Sequence, residues 1–179
     1  SNITGINSVN TFMSNFSSWG PTDDFRIKPD ISSKGHDVYS LSNAGTGSTA
    51  TLSGTSMAAP SVTGVFLLWQ QYYKQLFDVY MKSSSVRALM AHTAKEAGEA
   101  EGPDYKFGWG LIDADGGAKV MRDKQAGLAA FGELTLNSGG NYEYQFEYTG
   151  VEPLIATIAW NDPAGSALNT TNTNILHRT

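Results

Sequence analysis

The sequence predicts an α/β region over residues 1–125, followed by the first strands of an all-β sandwich over residues 126–179. Short candidate strands in the N-terminal third are followed by an almost unbroken run of small and apolar residues from Ala58 to Trp69, which predicts a helix buried at the centre of a domain, because it is apolar on all sides. Aromatic residues alternate with polar ones over residues 142–148, and residues 154–160 are mostly apolar, which together predict two neighbouring strands. The second region is about half the roughly 100 residues of a β-sandwich, so we expect it to be incomplete.

Short strands and one long helix come first in the α/β region. The N-terminal third is rich in Gly, Ser, Thr and Asn, as expected for loops, and its apolar residues predict strands near Ile31 to Leu41 and from Thr49 to Leu52. The long helix is predicted to begin near Ser56, with Pro60 tolerated in its first turn, where few backbone hydrogen bonds are lost. Polar residues after Trp69 then bring the helix to the surface.

Two shorter helices complete this region. The first is predicted from about Ser83 to Ala97, with one of its leading serines as the cap. Its buried face is formed by residues at three- and four-residue spacing, namely Val86, Leu89, Met90 and Thr93. The second helix is predicted to begin after Asp113 as its N-cap and to end near Arg122.

The composition excludes several classes of protein and site. Charged residues are 16% and hydrophobic residues 40% of the chain, which argues against a disordered chain, and the net charge of −5 argues against a nucleic-acid-binding protein. No apolar stretch approaches the ~20 residues that a membrane helix needs. The chain has no cysteine, which excludes disulfide scaffolds, zinc–thiolate sites and thiol nucleophiles.

The candidate catalytic residue is Ser56, in the segment Gly54-Thr55-Ser56-Met57-Ala58-Ala59-Pro60. This segment places a hydroxyl where a strand turns into the long helix, and the unpaired N–H groups of a helix N-terminus favour a developing oxyanion. Small neighbouring residues let a substrate backbone approach closely. Serine is also among the commonest helix caps, so the residues alone leave open an ordinary capping role for Ser56.

Three segments resemble motifs of the subtilisin-like serine proteases, the subtilases. The segment around Ser56 resembles the nucleophile motif, residues 16–21 followed by 26–31 resemble the stretch before it, and Gly108-Trp109-Gly110 resembles a turn after the nucleophile helix. The resemblance covers residues 1–125 and implies the C-terminal part of a parallel-sheet catalytic domain with a buried central helix. Residues 158–165 resemble the jelly-roll β-sandwich domain that follows the catalytic domain in some bacterial subtilases.

The resemblance implies a serine endopeptidase that hydrolyses peptide bonds through an acyl-enzyme on Ser56, whose backbone N–H also donates to the oxyanion. The catalytic Asp and His and the oxyanion Asn of the family lie upstream of these motifs. We therefore expect the chain to be part of a longer protein, inactive without the N-terminal part of its catalytic domain. The alternative is a catalytically dead subtilase relative or a binding or scaffold module.

The expected partners are polypeptide substrates and that N-terminal part, with no nucleic acid and no membrane segment. Family resemblance also implies a secreted or cell-surface location. The chemistry requires no cofactor. A structural calcium ion is common in the family, but no acidic residues of this sequence have the spacing of a calcium loop, so the sequence locates no site.

Three histidines are candidates for a local base. His36 precedes Asp37, but neighbouring residues on a strand point to opposite faces, so we do not expect an oriented pair. His92 is predicted at the edge of the core or on the surface of the second helix, and His177 lies near the end of the chain.

Overall fold

Two short strands and three helices follow one another along the chain. The structure is a computed structural model that describes residues 11–99, 101–151 and 154–161. Its elements are β1 (Val38–Leu41), β2 (Thr49–Leu52), α1 (Thr55–Phe77), α2 (Ser83–Thr93) and α3 (Ala114–Gln125). Within these ranges, no helix is both long and apolar enough to cross a membrane.

The strands form an antiparallel hairpin, in which Val38 pairs with Leu52 and Leu41 with Thr49. The parallel sheet implied by the family resemblance is not seen in the described residues, where the only parallel pairing is an isolated bridge between Ser32 and Leu111. The reason is the connection: a short loop such as 42–48 can join only antiparallel neighbours, since a parallel pair needs a crossover of a dozen or more residues.

The long helix α1 spans the predicted residues but is buried on one face only. Trp69 and Tyr73 are its buried residues, whereas Leu67 and Leu68 are 66% and 61% exposed. The prediction of a centrally buried helix is therefore wrong for the described part of the chain, because the elements there cover only one side of α1. Gly64 likewise has open space around it: a Cβ there would meet nothing within 4 Å.

The core lies between α1 and the two shorter helices. Its buried residues are Trp69, Tyr73, Met81, Val86, Leu89, Met90 and Met121. The indole Nε1 of Trp69 donates to the Ala114 carbonyl (2.9 Å), and the ring lies so close to Gly117 that a Cβ there would come within 2.3 Å of it. The glycine lets α3 approach α1.

Both shorter helices are confirmed, with corrected ends. The predicted serine cap of α2 is wrong, because its N-cap residue is Lys82 and no side chain caps this end, and α3 ends at Gln125 rather than near Arg122. Asp113 is the N-cap residue of α3, as predicted, and its carboxylate accepts a hydrogen bond from the Gly116 N–H (3.1 Å). Helix α2 ends at Thr93 rather than Ala97, because the Lys95 backbone instead exchanges two hydrogen bonds with Leu111 (2.8 and 2.9 Å). A residue engaged in a bridge cannot also continue the helix.

No strand forms in residues 126–151 and 154–161, so the two strands predicted at 142–148 and 154–160 are not confirmed. The alternating aromatic residues there are at least half exposed. A strand needs a hydrogen-bonded neighbour and a facing layer to bury its apolar side, and the described residues supply neither. The sandwich and the boundary at residue 125 stay predictions, and the segment 162–179 lies outside the described residues.

Residues after α3 nevertheless lie against α2. The Glu133 carboxylate accepts from the Lys82 N–H (2.6 Å) and from the buried Ser85 hydroxyl (2.5 Å) at the start of that helix. Asn161 contacts Arg87 and donates to Ser83 (3.2 Å). These contacts hold the following chain along one side of the helix.

Candidate active site

Ser56 is the second residue of α1 and is exposed. The N-cap is Gly54, and no side chain caps this helix end, so the alternative of Ser56 as an ordinary cap is excluded. In the described part of the chain, neither the Ser56 hydroxyl nor its N–H has a hydrogen-bond partner, whereas the next N–H, of Met57, donates to the Gly54 carbonyl (3.0 Å). The helix end thus presents a free hydroxyl and a free N–H at the same residue.

A proline shapes the first turns of α1. Pro60 lies in the second turn, not the first as predicted, and has no N–H to donate. The carbonyl that loses its helical partner is that of Ser56, four residues earlier.

The segment 33–35 supports the start of this helix from the side. The Gly54 N–H donates to the Gly35 carbonyl (2.7 Å), and the Ser33 and Ser61 hydroxyls are 3.0 Å apart. A Cβ on Gly35 would lie 2.8 Å from the Gly54 carbonyl oxygen, so this close approach requires glycine.

The other two motif segments lie side by side. The Trp109 N–H donates to the Asp30 carbonyl (2.9 Å), and the Ser32 N–H donates to the Gly110 carbonyl (2.8 Å). Gly108 has a φ of 68°, and a Cβ there would come within 2.2 Å of the Pro29 carbonyl oxygen. Because residues 30–32 lead directly into the segment that supports α1, the three motifs form one connected backbone unit.

His36 and Asp37 form a pair, contrary to the expectation from strand alternation. The imidazole Nδ1 lies 3.2 Å from the Asp37 carboxylate, and the ring stacks on Phe16 at 6.2 Å between centroids. Both residues precede β1, and Asp37 has a φ of 48°, so its backbone is left-handed and the alternation of a strand does not apply.

This pair contacts a serine other than the candidate nucleophile. The Ser53 hydroxyl donates to the Asp37 carboxylate (3.2 Å) and accepts from the Asp37 N–H (2.8 Å). The carboxylate therefore stands between hydroxyl and imidazole, whereas a triad needs the imidazole in the middle to take the hydroxyl proton. No hydrogen bond joins His36 to Ser56 in the described residues, so the pair is not placed as its base.

Other candidates stay outside the site. His92 is exposed, as predicted, and its Nδ1 lies 3.0 Å from the Thr157 hydroxyl. His177 lies outside the described residues. Across the described ranges, no group of three His, Asp or Glu side chains is arranged to hold a metal ion. Sequence reasoning missed Ser53, because periodicity cannot reveal a contact made through a left-handed residue.

All three motif segments lie within a match to a known protein family. The sequence profile of the subtilase family, peptidase family S8, matches residues 1–110. The chain belongs to the subtilase family.

Relatives of the chain include several large proteins. The C5a peptidase of Streptococcus pyogenes is 50% identical over 70 residues, which are 38% of this chain and 6% of that protein. The autotransporter lipoprotein NalP of Neisseria meningitidis is 34% identical over 108 residues (58% and 9%), and the serine protease/ABC transporter protein tagA of Dictyostelium discoideum is 26% identical over 189 residues (87% and 11%).

A solved structure is also similar in sequence. The psychrophilic subtilisin-like protease Apa1 of Pseudoalteromonas is 30% identical, with a TM-score of 0.37 over 43% of this chain and 16% of that one. The subtilase chain described here spans only 6% to 11% of the length of the three curated relatives above.

Proposed function

We propose that this subtilase chain is the nucleophile-bearing part of a serine endopeptidase that cleaves polypeptides through an acyl-enzyme on Ser56. The observation that carries the proposal is that, among the described residues, nothing pairs with the hydroxyl or the N–H of Ser56 at the N-terminus of α1. The family match over residues 1–110, which include this helix start, supports it. The second candidate is a catalytically dead relative or a binding module, which would retain the fold around Ser56 without catalysing the reaction.

The chemistry assigned to Ser56 follows from its two free groups. The Oγ attacks the carbonyl carbon of the scissile peptide while a general base takes the hydroxyl proton, and the N–H donates to the oxyanion that forms. The base then gives the proton to the leaving amine as the C–N bond breaks. Water hydrolyses the resulting ester, which restores the serine hydroxyl and releases the acid.

The base and its orienting carboxylate belong, in this proposal, to the N-terminal part of the catalytic domain. His36 is not given this role, since no hydrogen bond joins it to Ser56 in the described residues. The exposed apolar residues Leu67 and Leu68 on α1 support the same partner, because contiguous apolar surface is normally covered by another part of a protein. The proposed chemistry needs no cofactor.

A secreted or cell-surface location is also proposed. The relative NalP is described as an autotransporter lipoprotein, which supports a location outside the cytoplasm for the parent of this chain.

Labelling with a fluorophosphonate probe tests the function. In the full-length parent protein we expect Ser56 to be labelled, Ser56→Ala to abolish labelling, and Thr63→Ala, which removes an exposed hydroxyl of the same helix, to leave it intact. The isolated 179-residue chain should label at a rate several orders of magnitude lower, because it is proposed to lack the base.

Two results would change the conclusion. Absent labelling of a well-folded parent protein would favour the dead relative or binding module. Stoichiometric labelling of Ser56 in the isolated chain would show that a base is supplied locally, with His36 the first to be tested.

A further inference from the structure

We propose that Asp37 is a positioning residue for Ser56, an inference that rests on the proposed role of Ser56 as nucleophile. Asp37 holds Ser53, three residues before Ser56, through two hydrogen bonds of opposite direction: its N–H donates to the Ser53 hydroxyl (2.8 Å) and its carboxylate accepts from it (3.2 Å). A pair of bonds in both directions fixes the orientation of the hydroxyl as well as its position.

The turn that Asp37 holds has few other anchors. Between Ser53 and Ser56 lie Gly54, which has no side chain, and Thr55, and no side chain caps α1. In the described part of the chain, the turn is tied to the neighbouring segment by the Gly54 N–H bond to the Gly35 carbonyl (2.7 Å) and by the Asp37–Ser53 pair, and the strand pairing of Leu52 with Val38 directly precedes it. Asp37→Ala removes the carboxylate bond to Ser53 but keeps the bond from the backbone N–H of residue 37, so it weakens this attachment, whereas Ser53→Ala removes it altogether.

The stability of the fold does not account for this arrangement. The Asp37 side chain is 70% exposed and its partner His36 is 60% exposed, and exposed ion pairs contribute little to stability. Asp37 also adopts a φ of 48°, a left-handed conformation that is uncommon outside glycine. Aspartate is one of the residues that adopt this conformation, so the contact with Ser53, and not the angle, argues for a positioning role.

Positioning matters for Ser56 because its reaction depends on the attack geometry. A displacement of about 1 Å at a reacting group can cost about a hundredfold in rate. Asp37 does not touch Ser56, so its effect reaches the hydroxyl only through Ser53 and the turn.

The chain provides a matched control at the other end of α1. Asp78 is also exposed and left-handed, with a φ of 60°, and its carboxylate is paired with Lys74 (2.8 Å). Asp78→Ala therefore removes a comparable aspartate and ion pair far along the helix from Ser56.

The first experiment measures the reactivity of Ser56 in the full-length parent protein. We expect Asp37→Ala to lower the fluorophosphonate labelling rate and kcat by about tenfold or more, with KM for a peptide substrate unchanged. Asp37→Asn should retain most of the rate, because an amide oxygen still accepts from Ser53 and asparagine tolerates the left-handed conformation. Asp78→Ala should react like the parent. Equal rates for Asp37→Ala and the parent, or an equal loss in Asp78→Ala, would overturn the proposal.

The second experiment needs no activity. Amide hydrogen exchange is measured on a peptide that covers residues 52–58 in the same variants. We expect Asp37→Ala and Ser53→Ala to accelerate exchange at the Gly54 amide, and Asp78→Ala to leave it unchanged. Unchanged exchange in Asp37→Ala would overturn the positioning role. If the parent protein itself fails to label, the proposed function fails, while this exchange result still decides whether Asp37 holds the turn.

Discussion

Gly117 is the position where a single methyl group should test the packing of α3 on α1. In Gly117→Ala, the new Cβ would lie 2.3 Å from the indole of Trp69, a side chain only 2% exposed, so the ring or the helix must move. Overpacking of this kind lowers the free energy of unfolding by about 1–3 kcal/mol. Displacing the ring would also weaken its hydrogen bond to the Ala114 carbonyl, which contributes about 1 kcal/mol. Alanine offsets about 1 kcal/mol through its helix propensity. The net expectation is a loss of about 2 kcal/mol.

Urea unfolding of the 179-residue chain, followed by tryptophan emission, measures this loss. Trp69 is the buried tryptophan among those described, and the emission of Trp19, Trp109 and Trp160 changes less because these residues are already 44% to 62% exposed. Gly64→Ala is the control: it lies inside α1 with nothing within 4 Å of its Cβ, so only the propensity gain should remain. A Gly117→Ala variant as stable as Gly64→Ala would refute the close approach of the two helices.

Two further outcomes are expected. Mild peroxide should partly abolish the proposed activity of the full-length parent protein, because the sulfoxide of Met57 adds a bulky polar oxygen beside Ser56. Met57→Ala should be protected, and equal inactivation of both proteins would assign the damage to another methionine. Burial, and to a lesser extent the Glu133 carboxylate, raise the pKa of Tyr73 above its usual 10.0. The protonated phenol therefore stabilises the fold fully below the pKa that Tyr73 has in the unfolded chain. This stabilisation is lost as the pH rises through the higher pKa of the folded protein. Tyr73→Phe should remove that part of the alkaline destabilisation, which unfolding measurements across this pH range would show.

Local patterns in the sequence determined the helices and the candidate nucleophile. The N-cap Asp113, the face formed by Val86, Leu89 and Met90, and the extent of the long helix all follow from interactions between residues a few positions apart. Such interactions are encoded in the local sequence, and the structure confirms them. The segment around Ser56 stands out by its own residues, but its interpretation as a nucleophile motif came from its resemblance to the subtilases.

Contacts between distant segments were decided only by the tertiary structure. Residues 142–148 have the alternation of a strand but no partner in the described chain, and α1 is apolar on sides that nothing described covers. The attachment of Ser53 by Asp37, and the pairing of Asp37 with His36, depend on one left-handed backbone angle. A one-dimensional pattern can show which side chains favour burial or turning, but it cannot show which groups lie within 3 Å of one another, because that depends on how the whole backbone is arranged.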